Sequence, residues 1–260
     1  MRCLLLSAVF FLNSADFFAA EVQVAPSPSL NPAQSSPAAS TTPGAALPQY
    51  RPALLGTGPL SIINLIDTQE LVRKGQKDAS LMFGCAVMKN GEVVNAWVYR
   101  ATDGSGDLEG EVLKCLDTAV FVPAIHNHQL VHVIFYGTVS LKMVNGKPRL
   151  RIFANQEAEE LKKESDFVGP QPFVGRDSEF DGLNYPKNPV TGTLSGLVEL
   201  AMKIDAAGNV KEMRLVSEYP PLVGFGHAAT EDFRGAKFIP AFRDGKPVEC
   251  SITLPVYYAP

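Results

Sequence analysis

Between positions 196 and 258 the alternation of apolar and polar residues changes period twice. In 198–204 the apolar residues Val198, Leu200, Met202 and Ile204 take every second place, with Glu199 and Lys203 between them. That period predicts a strand with one buried face. Ala207-Gly208 supplies a turn, since glycine tolerates the positive φ of tight hairpins, and a second strand is predicted over 209–216. Phe225, Ala229 and Phe233 then fall four apart, the spacing of one helix face. Ala236-x-Phe238-x-Pro240-Ala241 ends the helix, because proline disfavours helical geometry in the residue before it. A polar turn, Arg243-Asp244-Gly245-Lys246, leads to a last alternating strand over 247–257. The unit reads as hairpin, helix and strand, with the helix on one face of an antiparallel sheet.

The same order occurs 117 positions earlier, where residues 81–133 lie over 198–250 without a gap. Leu81, Phe83, Cys85 and Val87 fall on Val198, Leu200, Met202 and Ile204, and Gly91 falls on Gly208. Leu108, Val112 and Leu116 give the helix face, and Phe121-x-Pro123-Ala124 meets Phe238-x-Pro240-Ala241. The first copy has its strands over 81–87 and 92–99 and adds a hairpin, with turn Asn145-Gly146 and strand 147–153. The expected fold class is therefore α+β: two tandem small modules, each an antiparallel sheet with a helix packed on one face.

The flanks are different in kind. Residues 1–20 have Arg2, a short apolar run from Cys3 to Leu12 and small residues at Ala19-Ala20, the layout of a secretory signal peptide. Residues 25–52 hold seven of the 20 prolines, and their only charge is Arg51. Such a stretch buries too little apolar surface to offset its ordering entropy. The expected division is signal peptide 1–20, Pro/Ala/Ser-rich tether 21–55, first module 56–156, connector 157–183 and second module 184–260. The charged run 157–165 and the Gly/Pro-containing stretch 168–189 read as a solvated linker.

Composition removes several functions. A net charge of −4 and a pI near 5.6 do not fit a protein that coats nucleic acid. The cysteines Cys3, Cys85, Cys115 and Cys250 form no C-x-x-C pair, and no phosphate-binding glycine loop is present. Ser195 in Gly-Thr-Leu-Ser-Gly is not a nucleophile elbow, and Asp205 reads as turn chemistry. His126, His128 and His132 lack a neighbouring Cys or carboxylate to complete a metal shell and read as exposed turn residues; His227 reads as a helix-start residue. No enzyme activity, metal, cofactor or small-molecule substrate is expected. Cys85 shares the inward phase of Phe83, and Cys115 lies on the helix stripe, so in an exported chain a disulfide between them is one candidate, against which stands Asp232 at the position equivalent to Cys115. Cys250 reads as a buried free thiol.

The second copy resembles the C-terminal domain of TonB-type energy transducers. The resemblance rests on Gly196, Ile204-Asp205 with Gly208, the Ala236-x-Phe238-x-Pro240-Ala241 element, Gly245-Lys246-Pro247-Val248 and Leu254-Pro255-Val256-Tyr257. Tyr185-Pro186 resembles the family's Tyr-Pro lead-in, and the first copy looks like a degenerate relative. The resemblance implies a periplasmic domain that recognises an envelope protein or an outer-membrane receptor peptide, taken as an added strand at a sheet edge. The partner-binding residues so implied are Tyr185 and Pro186 together with Glu249, Ser251, Thr253 and Tyr257 on the last strand. Two alternatives stand beside an exported binding or scaffolding module. One is an energy transducer anchored in the inner membrane by an uncleaved N-terminus, and the other is a structural, self-associating envelope protein.

Overall fold

The computed structural model describes residues 46–163, 166–186 and 194–260, so the expected signal peptide and most of the expected tether lie outside the described residues. Strand β1 (Tyr50–Arg51) and helices α1 (Ile62–Leu65) and α2 (Thr68–Arg73) precede a hairpin of β2 (Ala79–Val87) and β3 (Val93–Ala101). Helix α3 (Gly106–Leu116) leads to β4 (Ala124–His126), the long β5 (Gln129–Val144) and β6 (Lys147–Phe153). Helix α4 (Ala158–Lys162), β7 (Phe167–Val168) and β8 (Gln171–Val174) come before a second hairpin, β9 (Gly196–Ile204) and β10 (Val210–Tyr219). Helix α5 (Phe225–Asp232), β11 (Phe238–Ile239), β12 (Ala241–Arg243), β13 (Lys246–Val248) and β14 (Cys250–Tyr258) follow.

The result is a mixed α/β fold of antiparallel sheets with few helices. One sheet runs β1-β4-β5-β2-β3, with β6 and β8 also on β5 and β11 on β8; a second runs β10-β9-β14, and a third β13-β12-β7. Register repeats at the spacing seen in the sequence. Leu81 pairs with Val139 and Val87 with Val133; 117 positions on, Val198 pairs with Val256 and Ile204 with Cys250. His126 opposite Gln129 is matched by Arg243 opposite Lys246, and the bridge Glu92–Val120 by Asn209–Lys237.

Each hairpin buries one face under a helix. Leu108, Val112 and Leu116 of α3 share a core with Leu81, Phe83, Cys85 and Val87. Phe225, Ala229 and Phe233 of α5 share another with Val198, Leu200, Met202 and Ile204. Helix α5 starts without a Ser/Thr/Asp/Asn cap. Glu218 at the end of β10 supplies the acceptor instead, taking the N–H groups of Val223, Gly224 and Phe225 at 3.2, 2.8 and 3.0 Å.

Two expected boundaries are corrected. The end of the expected tether belongs to the fold: Tyr50 and Arg51 pair with β4, and Ala53 is fully buried. The expected solvated connector is also built in, because its apolar residues find cores to fill. Phe167, Phe173 and Phe180 are buried, and Gln171 exchanges two hydrogen bonds with the backbone of Ala53, at 2.7 and 3.0 Å. The halves are not separate bodies. Ile134 and Tyr136, on the reverse face of β5, join the core under α5, and Arg100 pairs with Glu199 at 2.6 Å.

Candidate functional site

Strand β14 alternates except at Pro255, which is buried although it falls in the outward phase. Ile252, Leu254, Val256 and Tyr258 are buried toward α5, whereas Ser251 and Thr253 are exposed on the other face. One long side of the strand is used up by β9 from Cys250 to Tyr258. On the other side no strand among the described residues pairs with it, which leaves β14 at the end of its sheet. Antiparallel pairing directs backbone groups to alternate sides. The Thr253 N–H points away from β9, where Glu157 Oε1 accepts it at 2.9 Å. By the same alternation Ser251 and Tyr257 face outward, and Pro255, which has no N–H to donate, sits between them. On the corresponding side of β5, β8 pairs at His132 and Val133 and β6 from Thr138 to Val144, the latter equivalent to Pro255 and beyond; neither strand pairs at Tyr136, the equivalent of Thr253.

Of the residues implied as partner-binding, Ser251, Thr253 and Tyr257 lie along this edge. Glu249 stands in the gap between β13 and β14 and pairs with Lys203 at 3.1 Å. Tyr185 is elsewhere: its ring meets Phe225 edge-on at 5.8 Å, and its hydroxyl donates to the Leu194 carbonyl at 2.7 Å. Phe225 in turn stacks on Tyr258, so the Tyr185-Pro186 lead-in reaches β14 on its core side and not along its open rim. Asp232 holds the lead-in, accepting the Asn184 N–H at 3.0 Å and the Tyr258 hydroxyl at 2.6 Å.

The contact of Glu157 with β14 was not visible in the sequence, since Glu157 opens a charged run that reads as solvent-facing. In the structure burial pushes its carboxyl above the usual value; the Thr253 N–H pulls it back and Glu160 pushes it further up. Asp205 does the reverse at the β9–β10 turn. Burial would raise it, but donation from the Asn209 side chain and backbone, Lys211 and Ala207 outweighs burial and holds it well below the usual value.

The remaining candidates separate. Cys85 and Cys115 are both free and buried, so the candidate disulfide is not formed; Cys115 Sγ lies 3.6 Å from Glu111 Oε1 on its own helix. Cys250 is free and only half-buried. His126 is not an exposed turn residue: it is buried, stacks on Phe173 at 4.2 Å and has Asp177 at 3.5 Å. His128 does lie in the turn, against the Leu47 carbonyl. Among the described residues no three His, Cys, Asp or Glu side chains group as a metal site.

Residues 181–260 match the family model described as Gram-negative bacterial TonB protein C-terminal. That segment belongs to the TonB C-terminal family. The match covers β9 to β14 with α5 and the Tyr185-Pro186 lead-in, and leaves residues 1–180 outside it. No curated protein and no solved structure matches the chain. Among the described residues no helix is long and apolar enough to cross a membrane.

Proposed function

We propose that this chain is an exported, non-enzymatic binding module of the bacterial envelope that takes a partner's extended segment as an added strand on β14. The observation that carries the reading is the outer side of β14, unpaired by any strand among the described residues, within the segment matched to the TonB C-terminal family. An edge strand with outward N–H and C=O groups gives a peptide its main-chain hydrogen bonds, while alternate side chains, here Ser251, Thr253 and Tyr257, set which peptide fits. The partner class is an envelope protein or an outer-membrane receptor peptide.

Residues 56–156 are, on this proposal, a degenerate relative of the same module. The register shared at 117 positions supports that kinship. The hairpin strand β6 covers the positions equivalent to the C-terminal part of the β14 edge, so on this proposal this half acts as scaffold and not as a second strand acceptor.

The test is capture from an envelope extract by the intact protein and by Tyr257→Pro, which removes one outward N–H at a position where an edge tolerates proline. Strand addition predicts a partner retained by the wild type and lost by the variant, with unchanged circular dichroism. Equal retention by both proteins would overturn it.

A further inference from the structure

We infer that Glu157 is an internal occupant of the β14 edge, closing it at Thr253 until an added strand displaces it. The inference rests on the strand-addition reading and concerns how that edge is controlled. A strand docking along β14 has to bring a carbonyl oxygen to the Thr253 N–H, and at 2.9 Å the Glu157 carboxylate already holds that position. Glu157 is held there by its surroundings. Its own N–H donates to Asn155 Oδ1 at 3.2 Å, and Asn155 is 4% exposed. Asn155 is fixed in turn by Thr138 Oγ1, which donates to its carbonyl at 2.8 Å, and by the Phe167 carbonyl, which accepts its Nδ2 at 3.2 Å. One turn further on, Glu160 pairs with Arg243 of β12 at 2.8 Å, and β7 pairs with β12.

The two halves thus close the corresponding side at different places and by unequal means, β6 on β5 from the equivalent of Pro255 onward and Glu157 on β14 at Thr253. On β5 the chain lays down a seven-residue strand, paired from Thr138 to Val144. On β14 it offers one carboxylate. Seven backbone pairs formed within a hairpin are not displaced by an incoming peptide, whereas a single side-chain acceptor, even a charged one, is exchanged for one peptide carbonyl while the docking strand adds further main-chain bonds. A carboxylate has no N–H to return to the strand, so the closure is incomplete by construction.

The experiment uses the full chain, as wild type, Glu157→Ala and Glu157→Gln. Amide exchange read by NMR needs no ligand. Removing the acceptor in Glu157→Ala is expected to speed Thr253 exchange by about tenfold or more, leaving Ile252 and Leu254, whose N–H groups face β9, unchanged. Glu157→Gln keeps the shape and an uncharged acceptor and falls between, which preserves the test if the alanine variant unfolds. The binding probe is a capped synthetic peptide of residues 147–155, the segment that runs along the corresponding edge of β5 and, continued in register, ends opposite the position equivalent to Thr253. It is expected to bind Glu157→Ala about tenfold more tightly than the wild type. Unchanged Thr253 exchange overturns the inference whatever the peptide does. Altered exchange with equal peptide affinity overturns the gate and leaves strand addition standing. Altered exchange with no binding to any of the three proteins sinks strand addition and the gate with it.

Discussion

Phe238 donates its backbone N–H to the carbonyl of Gly208 at 2.9 Å, and Phe121 does the same to Gly91 at 2.8 Å. Each contact ties the hairpin turn to the segment that leaves the helix. Both glycines have positive φ, +83° and +87°, and at each a β-carbon would overlap the carbonyl oxygen of the paired phenylalanine. Gly208→Ala therefore meets two penalties. The left-handed backbone costs a non-glycine residue about 1–2 kcal/mol, and the overlap forces turn and strand apart. Gly146 has φ +73° and nothing within 4 Å of its β-carbon position, so Gly146→Ala meets the first penalty alone. Urea denaturation is expected to rank Gly208→Ala and Gly91→Ala well below Gly146→Ala. Equal losses at all three would mean that the contact with the phenylalanine carbonyl is not felt.

Phe180 lies one residue outside the family match, yet it is fully buried and stacks on Phe233 of the α5 core at 4.9 Å. Its removal leaves a cavity in that core. Phe180→Ala in the full chain is expected to cost about 3–5 kcal/mol, in the range of large-to-small core substitutions. A loss below about 1 kcal/mol by denaturant titration would show that the connector is not part of this core.

Why the second half was so legible follows from particular residues. Val198 to Ile204 alternate without a break, and Phe225, Ala229 and Phe233 mark one helix face, so β9 and α5 follow from period alone; the single last strand expected over 247–257 is instead broken at Glu249 into β13, which pairs with β12, and β14, which pairs with β9. Asn145-Gly146 and the strand 147–153 were equally plain. The segment 155–183 was not. Its phenylalanines at 167, 173 and 180 have no regular spacing, and each is buried by a different neighbour far away in sequence. Gln171 looks like a surface residue until Ala53 arrives to take both ends of its amide. Along the candidate edge the alternation of Ser251, Thr253 and Tyr257 was readable. The Glu157 contact was not, because nothing local requires a carboxylate to meet an amide 96 positions away.

The thiols offer a chemical check on the cores. Burial pushes Cys115 up to about 11, with Glu111 adding to the effect, and Cys250 up to about 12; Cys85, more deeply buried, rises further. Since the thiolate is the reactive form, iodoacetamide at pH 8 is expected to label these three at least about a hundredfold more slowly than an unperturbed cysteine of pKa about 8.5. In urea all three should label at the ordinary rate. Peptide mapping after a native pulse reads each site separately. Fast native labelling of Cys85 would contradict its packing beneath α3, and resistance of Cys85 and Cys115 in urea without reductant would point to the disulfide that the structure lacks.

Asp205 sets an acid limit that the first half does not share, because Met88 occupies the equivalent position. Its Oδ1 accepts the Ala207 and Asn209 N–H groups at 3.0 and 2.8 Å, and Lys211 lies 3.0 Å from Oδ2. These donors favour the charged form, so the folded carboxyl titrates below the ordinary value near 3.8. A depressed folded pKa means that the unfolded chain binds the proton first as pH drops. The stabilisation is therefore complete above about pH 5 and is lost as pH falls through the ordinary value toward the folded one. Asp205→Asn retains an acceptor but cannot titrate. Midpoints measured from pH 6 down to pH 2 are expected to fall more steeply for the wild type than for Asp205→Asn, so that the two curves converge in acid. Parallel curves would place the acid sensitivity on other carboxylates and reduce Asp205 to an uncharged turn former.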